Sequence, residues 1–516
     1  MTSDRDSATV SSAHVSHVAP IALSTSSTSM ICDPPDSFVF DTHTALAKAE
    51  RCLASSRGSK ALSMASSILD RANTLQRNIL DTAHLIKCRA LAQLGEWTKA
   101  LIACQQALAF SPSHHELLHI TGKVLLECGK PNDALACFGY AIEAKPDHLP
   151  SWLARGLTYH LHLKDSARAV TDFHTSIVLN PLYYKSFFYM GMAMTDLQRF
   201  DLALEAFSRS VHLNATFSES YFRRGILHLQ QQQLERAIED FVKVTQLVPD
   251  SAEAHYNCAL AQHLLKRNEE AITSYKACLQ YQPKYVNALK NCAHAQSELG
   301  LYPEAFENYS AVLTIANLDD DAKIDILIAR GQVSERNGDV EQAIVDYSAA
   351  TELRPNFARA YTYRGLLHLQ HLELSHALND FTNSIDLEPD NARSWNNRGI
   401  ALLHLNQLDA ALRDFDQAIT LCPTYTKALR NRGKVLYLQQ ALETAMESLN
   451  TAAQQHSANN DPETFIVRGT VHHALGNHSR ALRDFARAPE HQRKRSMRQE
   501  QTEMLAWLNF ASPLDN

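Results

Sequence analysis

Small, bulky and apolar residues along this chain fall into a register that repeats about every 34 residues, the length of two short helices and two turns. An alanine recurs at Ala100, Ala134, Ala169, Ala203, Ala237, Ala271, Ala305, Ala343, Ala377, Ala411, Ala445 and Ala481, in steps of 34 residues with departures to 35, 38 and 36. Four residues later stands a bulky group, usually aromatic, as at Phe138, Phe173, Tyr275, Tyr347 and Phe415. Twelve residues before the alanine, or thirteen in the case of Gly156, glycine recurs at Gly122, Gly156, Gly191, Gly225, Gly331, Gly365, Gly399, Gly433 and Gly469. Small residues at these two points let antiparallel helices approach closely, while the aromatic fills the space towards the next pair. Five more glycines (Gly95, Gly129, Gly300, Gly338, Gly476) come seven residues after the glycine register, where a helix must end and the left-handed cap favours glycine.

The unit SWNNRGIALLHLNQLDAALRDFDQAITLCP, with Trp395, Gly399, Ala411, Phe415, Ala418 and Pro423, resembles the tetratricopeptide repeat family, whose period and signature it matches. The resemblance runs over about residues 81–495 in twelve units. It implies an all-α fold, an α-solenoid of stacked antiparallel helix pairs wound into a right-handed superhelix, because each pair buries its apolar face only against its neighbours. The expected organisation is a Ser/Thr-rich disordered tail over 1–40, a degenerate helix pair over 41–80, units 1–7 over 81–319, an insertion and hinge at 320–323, units 8–12 over 324–489, and a capping helix and tail over 490–516. The tail holds 14 Ser or Thr and few large apolar groups, too little to offset the entropy of ordering. In the last segment Met504, Leu505, Trp507 and Leu508 could cover the final repeat, and RKRSMR reads either as a solvated helix face or as a contact for an acidic partner or a nuclear address.

Composition narrows the class further. The 516 residues are 45% hydrophobic, with only 16 Gly and 17 Pro, too little punctuation for an all-β chain. The net charge of -7 offers no basic field for nucleic acid, and no apolar run approaches the 18 or so residues that span a bilayer. A cytoplasmic protein is expected, with nuclear or ciliary association left open. Ten cysteines without CxxC spacing fall where small apolar residues pack, the pattern of reduced core thiols.

The 25 histidines show no HEXXH, and the clusters His114/His115, His368/His371 and His472/His473 lie at ordinary repeat positions without an organised carboxylate or cysteine partner. Neither GxxxxGK[ST] nor GxGxxG occurs, and fourteen of the sixteen glycines already serve the repeat. The expectation is a non-catalytic protein with no cofactor and no metal. By the family resemblance, it is expected to be a scaffold for protein–protein interaction, taking extended peptides or partner helices, with assembly into a multi-subunit complex left open. The alternatives are a chaperone adaptor that binds acidic C-terminal peptides, or an accessory subunit of an enzyme complex.

With the glycine register as position 8 of each first helix, positions 2, 5, 6 and 9 share the helix face away from packing positions 4, 7, 8 and 11. The resemblance makes this the inner, concave face that holds ligands. Two groups of candidates lie on it. An apolar trough is expected from Phe188, Phe222 and Tyr256, with Tyr189, Met192, Ile226 and Leu260 beside them, ending in Asn257, Lys290 and Asn291. The asparagines resemble a broken form of the ladder that grips peptides in O-GlcNAc transferase; the apolar residues could equally pack between neighbouring helices. A basic group, Arg393, Asn397, Lys427, Arg430, Asn431 and Lys434, partly resembles the carboxylate clamp of chaperone-binding repeats, or else is a charged face in water.

Overall fold

The structure, a computed structural model, describes residues 37–70, 76–315, 318–455 and 461–487. Most of the tail expected over 1–40 and all of the helix expected over 490–516 lie outside these residues. The described chain is all-α, with 26 α-helices and no strand among the described residues. It divides into two compact units, Met1–Leu247 and Val248–Asn516.

In the first unit the pairs are α1 (Ser37–Ala54) with α2 (Gly58–Leu69), α3 (Arg77–Gln93) with α4 (Trp97–Phe110), α5 (His115–Glu127) with α6 (Pro131–Ala144), α7 (Leu149–Leu157) with α8 (Ser166–Leu179), α9 (Tyr184–Asp196) with α10 (Phe200–Leu213), and α11 (Ser218–Gln230) with α12 (Leu234–Leu247). The second unit continues with α13 (Ala252–Leu264) and α14 (Asn268–Tyr281), α15 (Val286–Glu298) and α16 (Tyr302–Leu313), α17 (Asp320–Asn337) and α18 (Val340–Leu353), and α19 (Ala358–Gln370) and α20 (Leu374–Leu387). It ends with α21 (Ala392–His404) and α22 (Leu408–Leu421), α23 (Thr426–Leu438) and α24 (Leu442–Gln454), and α25 (Pro462–Ala474) and α26 (His478–Phe485). Each unit is a solenoid in which a helix packs on the helices before and after it in sequence.

The small residue of the first helix meets the bulky residue of the second. A Cβ added to Gly399 would lie 2.7 Å from Cε1 of Phe415, and the same clash recurs at Gly122 against Phe138 and at Gly331 against Tyr347. Phe415 and Ala411 are fully buried. Glycine here is a condition of the helix spacing. One step later, Gly338 takes the left-handed conformation at φ 84°, while Leu372 at the same point of its own repeat is held at φ 60° without glycine's freedom.

A second register locks the pairs. The guanidinium of Arg364 donates through Nε and Nη2 to Asp380 at 2.9 and 2.7 Å, and Arg224–Asp240, Arg330–Asp346, Arg398–Asp414 and Arg468–Asp484 repeat this fork at the same separation of 16 residues. Each arginine lies over an aromatic ring or beside one, Arg398 at 4.9 Å from the Trp395 ring centroid.

Departures from the 34-residue step are absorbed locally. The 35-residue step between Ala134 and Ala169 becomes a π-helical turn over Thr158–His162, and Arg155 reaches Asp172 across 17 residues instead of 16. The longer step before Ala343 enters α17, an 18-residue helix whose N-cap is Asp319. Residues 320–323, expected as a separate insertion and hinge, are instead the first turn of that helix, and the division between compact units falls at Leu247/Val248. Four acidic or N-capping groups, Asp319, Asp320, Asp321 and Asp325, favour helix there.

Gly399→Val forces its side chain into Phe415 and is expected to cost about 1–3 kcal/mol, as overpacking does. Hydrogen exchange should show protection lost first in α21 and α22 and retained in α17 and α18, since repeats couple to their neighbours. Uniform loss through residues 318–487 would contradict that.

Candidate functional site

In the first unit, the face carrying positions 5, 6 and 9 is built on α9 and α11. Phe188 is buried, with ring centroids 5.1 Å from Phe217 and 6.0 Å from Phe207, so it is part of the packing and does not line an accessible trough as expected. Tyr189, Met192, Phe222, Arg223 and Ile226 are half-buried. Phe222 packs on Phe241, 5.9 Å away between ring centroids, and stays half-buried. Large apolar groups half-open on one face of two helices are surface that a partner side chain can dehydrate further.

In the second unit, α13 and α15 carry Tyr256, Asn257, Leu260, Lys290 and Asn291. Tyr256 is half-buried against Tyr285 and Tyr275. Asn257 Nδ2 donates to the Glu253 carbonyl of its own helix at 2.8 Å, and Asn291 Nδ2 donates to the Tyr256 hydroxyl at 3.3 Å. These amide donors are therefore engaged within the unit, and Lys290 alone of the five is exposed.

The basic group departs from the expectation of a charged face in water. Arg430 and Lys434 are 0% and 1% exposed, and Asn396, Asn397 and Asn431 are fully buried beside them. Arg430 Nη1 donates to Asp461 at 2.7 Å, Lys434 Nζ donates to Glu463, and Asn431 Nδ2 donates to Asn396 Oδ1 at 3.0 Å. Burial and the neighbouring Arg430 push the Lys434 ammonium down, while Glu463 opposes them. Asp461 and Glu463 open α25 about thirty residues on, too far in sequence to be read as partners of α23. Arg393 is exposed and Lys427 half-buried.

Histidines come together in ways the linear sequence hides. His368 Nδ1 lies 2.5 Å from Glu373 Oε2 and its Nε2 3.9 Å from Asp380, and His376 joins them at a ring separation of 5.1 Å. His368, Glu373 and His376 offer ligand atoms within 4.8 Å of one another, as do His263, His294 and Glu298. Either set has the donor types of a zinc-like site, but Glu298 is already held by Lys266 at 3.0 Å and Asn268 at 2.8 Å, which bring its carboxyl down to about 2. The nine described cysteines are free thiols, and burial raises Cys258, Cys278 and Cys292 to about 11. No described helix is long and apolar enough to cross a membrane.

In the first unit, Ser151 Oγ bridges His148 at 2.7 Å and His119 at 3.3 Å, with His115 edge-on to His148. Burial, then the charges of Lys123 and neighbouring histidines, lowers His119 to about 3; burial, then His115, lowers His148 to about 4. Both rings stay neutral in the fold, whereas in the unfolded chain they protonate near 6.5. Their contribution to stability is therefore complete above about pH 6.5 and is lost as the pH falls from there towards 4 and 3. Thermal melts from pH 7 to 4 should show α5–α8 losing protection early, and His119→Phe should flatten that slope. An unchanged slope would remove His119 from the account.

Sequence profiles described as tetratricopeptide repeat match residues 190–246, 252–285 and 392–425, and a TPR repeat profile matches 227–266 and 336–371. No curated protein sequence matches the chain. Among solved structures, the chain is similar to YrrB, titled a TPR protein with an unusual peptide-binding site (22% identity, 38% of this chain and 98% of that one, TM-score 0.33). It is also similar to the APC/C hetero-tetramer Cut9–Hcn1 (12%, 84% and 99%, TM-score 0.36) and to MamA from Desulfovibrio magneticus RS-1 (19%, 33% and 96%, TM-score 0.31). With its helix pairs, its glycine and aromatic register and the repeat profiles that match along it, the chain is a tetratricopeptide repeat protein.

Proposed function

We propose that the chain is a non-catalytic scaffold for protein–protein interaction, binding extended peptides or partner helices on the exposed face of its first helices. The observation that carries this reading is the half-open apolar surface of α9 and α11. Tyr189, Met192, Phe222 and Ile226 stay partly exposed although Gly225, Phe241 and the Arg224–Asp240 fork already complete the packing of their repeat. A partner that covers them gains the burial of two aromatic rings without disturbing the pair beneath. In the second unit, Tyr256, Lys290 and Asn291 extend the same reading to α13 and α15, where the asparagine oxygens can still accept from a peptide backbone.

The chaperone-adaptor alternative needs basic side chains that reach a peptide carboxylate. Arg430 and Lys434 are enclosed with Asp461 and Glu463, which supports the general scaffold over the clamp. Protein partners in a multi-subunit assembly fit the scaffold reading equally well.

The test uses the purified full chain and an array of extended and helical peptides rich in aromatic and aliphatic residues. Phe222→Ala should weaken binding of the selected peptides about tenfold or more, as loss of an aromatic anchor does, with the melting temperature nearly unchanged. If Phe222→Ala binds as the parent does, or chiefly melts earlier, the ring belongs to the packing and the α9–α11 face is not a binding surface.

A further inference from the structure

Three side chains of metal-ligand type meet where α19 turns into α20, and the first of them belongs to a wider pattern. His228, His368 and His472 each stand three residues after a register glycine, and each ring is buried with Nε2 3.9–4.0 Å from the aspartate of its Arg–Asp fork. The other ring nitrogen faces the turn between the helices. Nδ1 of His228 meets Gln233 at 2.9 Å and Nδ1 of His368 meets Glu373 at 2.5 Å, each five residues on. Asn477 holds that position after His472, and three residues further stand Arg236, His376 and Arg480. The buried imidazole thus serves the repeat. Of these three pairs, α19–α20 alone adds a carboxylate and a second imidazole where the others have an amide and a guanidinium.

The backbone fixes two of the three groups relative to each other. Leu372, left-handed at φ 60°, reverses the chain, and Glu373 N donates to the His368 carbonyl at 2.8 Å. Glu373 is the N-cap of α20, yet its carboxylate makes no cap hydrogen bond and turns back to α19. His376 lies three residues on, the spacing that brings two side chains to one helix face. Its Nδ1 is 3.9 Å from the same Glu373 Oε2, and its ring centroid is 5.1 Å from that of His368. A His368–Glu373 hydrogen bond accounts for two of these groups; a shared ligand accounts for all three.

We propose that His368, Glu373 and His376 form a binding site for one divalent cation of the zinc class, with water as the fourth ligand. Bonds of about 2.0–2.2 Å in a tetrahedral array set donor atoms about 3.3–3.6 Å apart. The three residues offer ligand atoms that already lie within 4.8 Å of one another. The Glu373 and His376 side chains are 48% and 70% exposed, so rotation can close the difference. With Nδ1 of His368 turned to Glu373, its other nitrogen faces the buried carboxylate of Asp380, the arrangement that orients a ligating histidine. Two nitrogens and one oxygen favour zinc over calcium or magnesium, which take oxygen ligands. The bound ion fastens the last turn of α19 to the first turn of α20.

The set of His263, His294 and Glu298 is less suited. Glu298 accepts from the Lys266 ammonium at 3.0 Å, a charge that repels a cation, whereas Glu373 meets two imidazoles, which ligate in the neutral form. The zinc site does not rest on the scaffold reading, since none of its residues lies on α9 or α11.

Zinc titration of the purified full chain, stripped of metal and read by competition with a chromophoric chelator, tests the assignment. One ion per chain should bind in the tightest class. Glu373→Gln and His376→Ala, both at exposed side chains that leave the Arg364–Asp380 fork untouched, should each weaken that class about a hundredfold, the upper end of what losing an outer-shell partner costs. Zinc should raise the melting temperature of the parent and not of these variants. With cobalt in place of zinc, the visible absorption of four-coordinate cobalt should appear in the parent and vanish in His376→Ala. His294→Ala should alter none of these readings. Equal binding by the parent and the Glu373→Gln/His376→Ala double variant, whether tight or absent, would overturn the site, as would loss of the tight ion in His294→Ala instead.

Discussion

The structure depends on how closely two antiparallel helices can approach. Across Gly399 and Phe415, as across Gly122 and Phe138, the aromatic ring lies where a Cβ would have to be, at 2.5–2.7 Å. With that distance set, alanine at Ala411 becomes the residue that fits, the Arg398–Asp414 fork closes beside it, and the next pair finds a complementary surface. The repeat tolerates change where this contact is spared. Cys104 and Leu449 replace the aromatic, and Ala259 and Ala293 replace the glycine.

The buried Arg–Asp forks bear on specificity of register more than on net stability. A buried pair exchanges hydration for a directed contact, and removing one partner leaves the other charge enclosed and uncompensated. Because each fork joins residues about 16 apart, a slip of one helix past the other would orphan both charges. The π-helical turn over Thr158–His162 illustrates the priority: one extra residue is taken up as a bulge in the backbone so that Arg155 and Asp172 still meet at 2.9 and 2.8 Å.

The same geometry explains why the exposure of the first-helix face varies along the chain. The faces of α9 and α11 are left with aromatic rings that the pair does not need, whereas the faces of α21, α23 and α25 are closed over an ionic and amide network. Enclosed cations paired with Asp461 and Glu463 behave as structure, and open rings behave as surface.

The repeat, its length and its helical class were legible in the sequence because they follow from local spacing: Gly399, Ala411 and Phe415 stand at intervals that only stacked helix pairs satisfy. Phe222 and Tyr256 could also be assigned to one face of their helices, since a 3.6-residue period assigns faces without reference to neighbours. The fate of each side chain on that face was not legible. Phe188 and Phe222 occupy the same repeat position, yet one is buried against Phe217 and the other half-open, because the next helix supplies a ring to one and none to the other. Arg430 and Lys434 read as a basic patch until Asp461 and Glu463, some thirty residues away, are brought against them. His368 shows no organised ligand set in the sequence, and the fold brings Glu373, His376 and Asp380 around it. Periodicity belongs to one helix at a time and survives in the linear chain. Burial and charge pairing belong to contacts between helices, and only the stacked structure decides them.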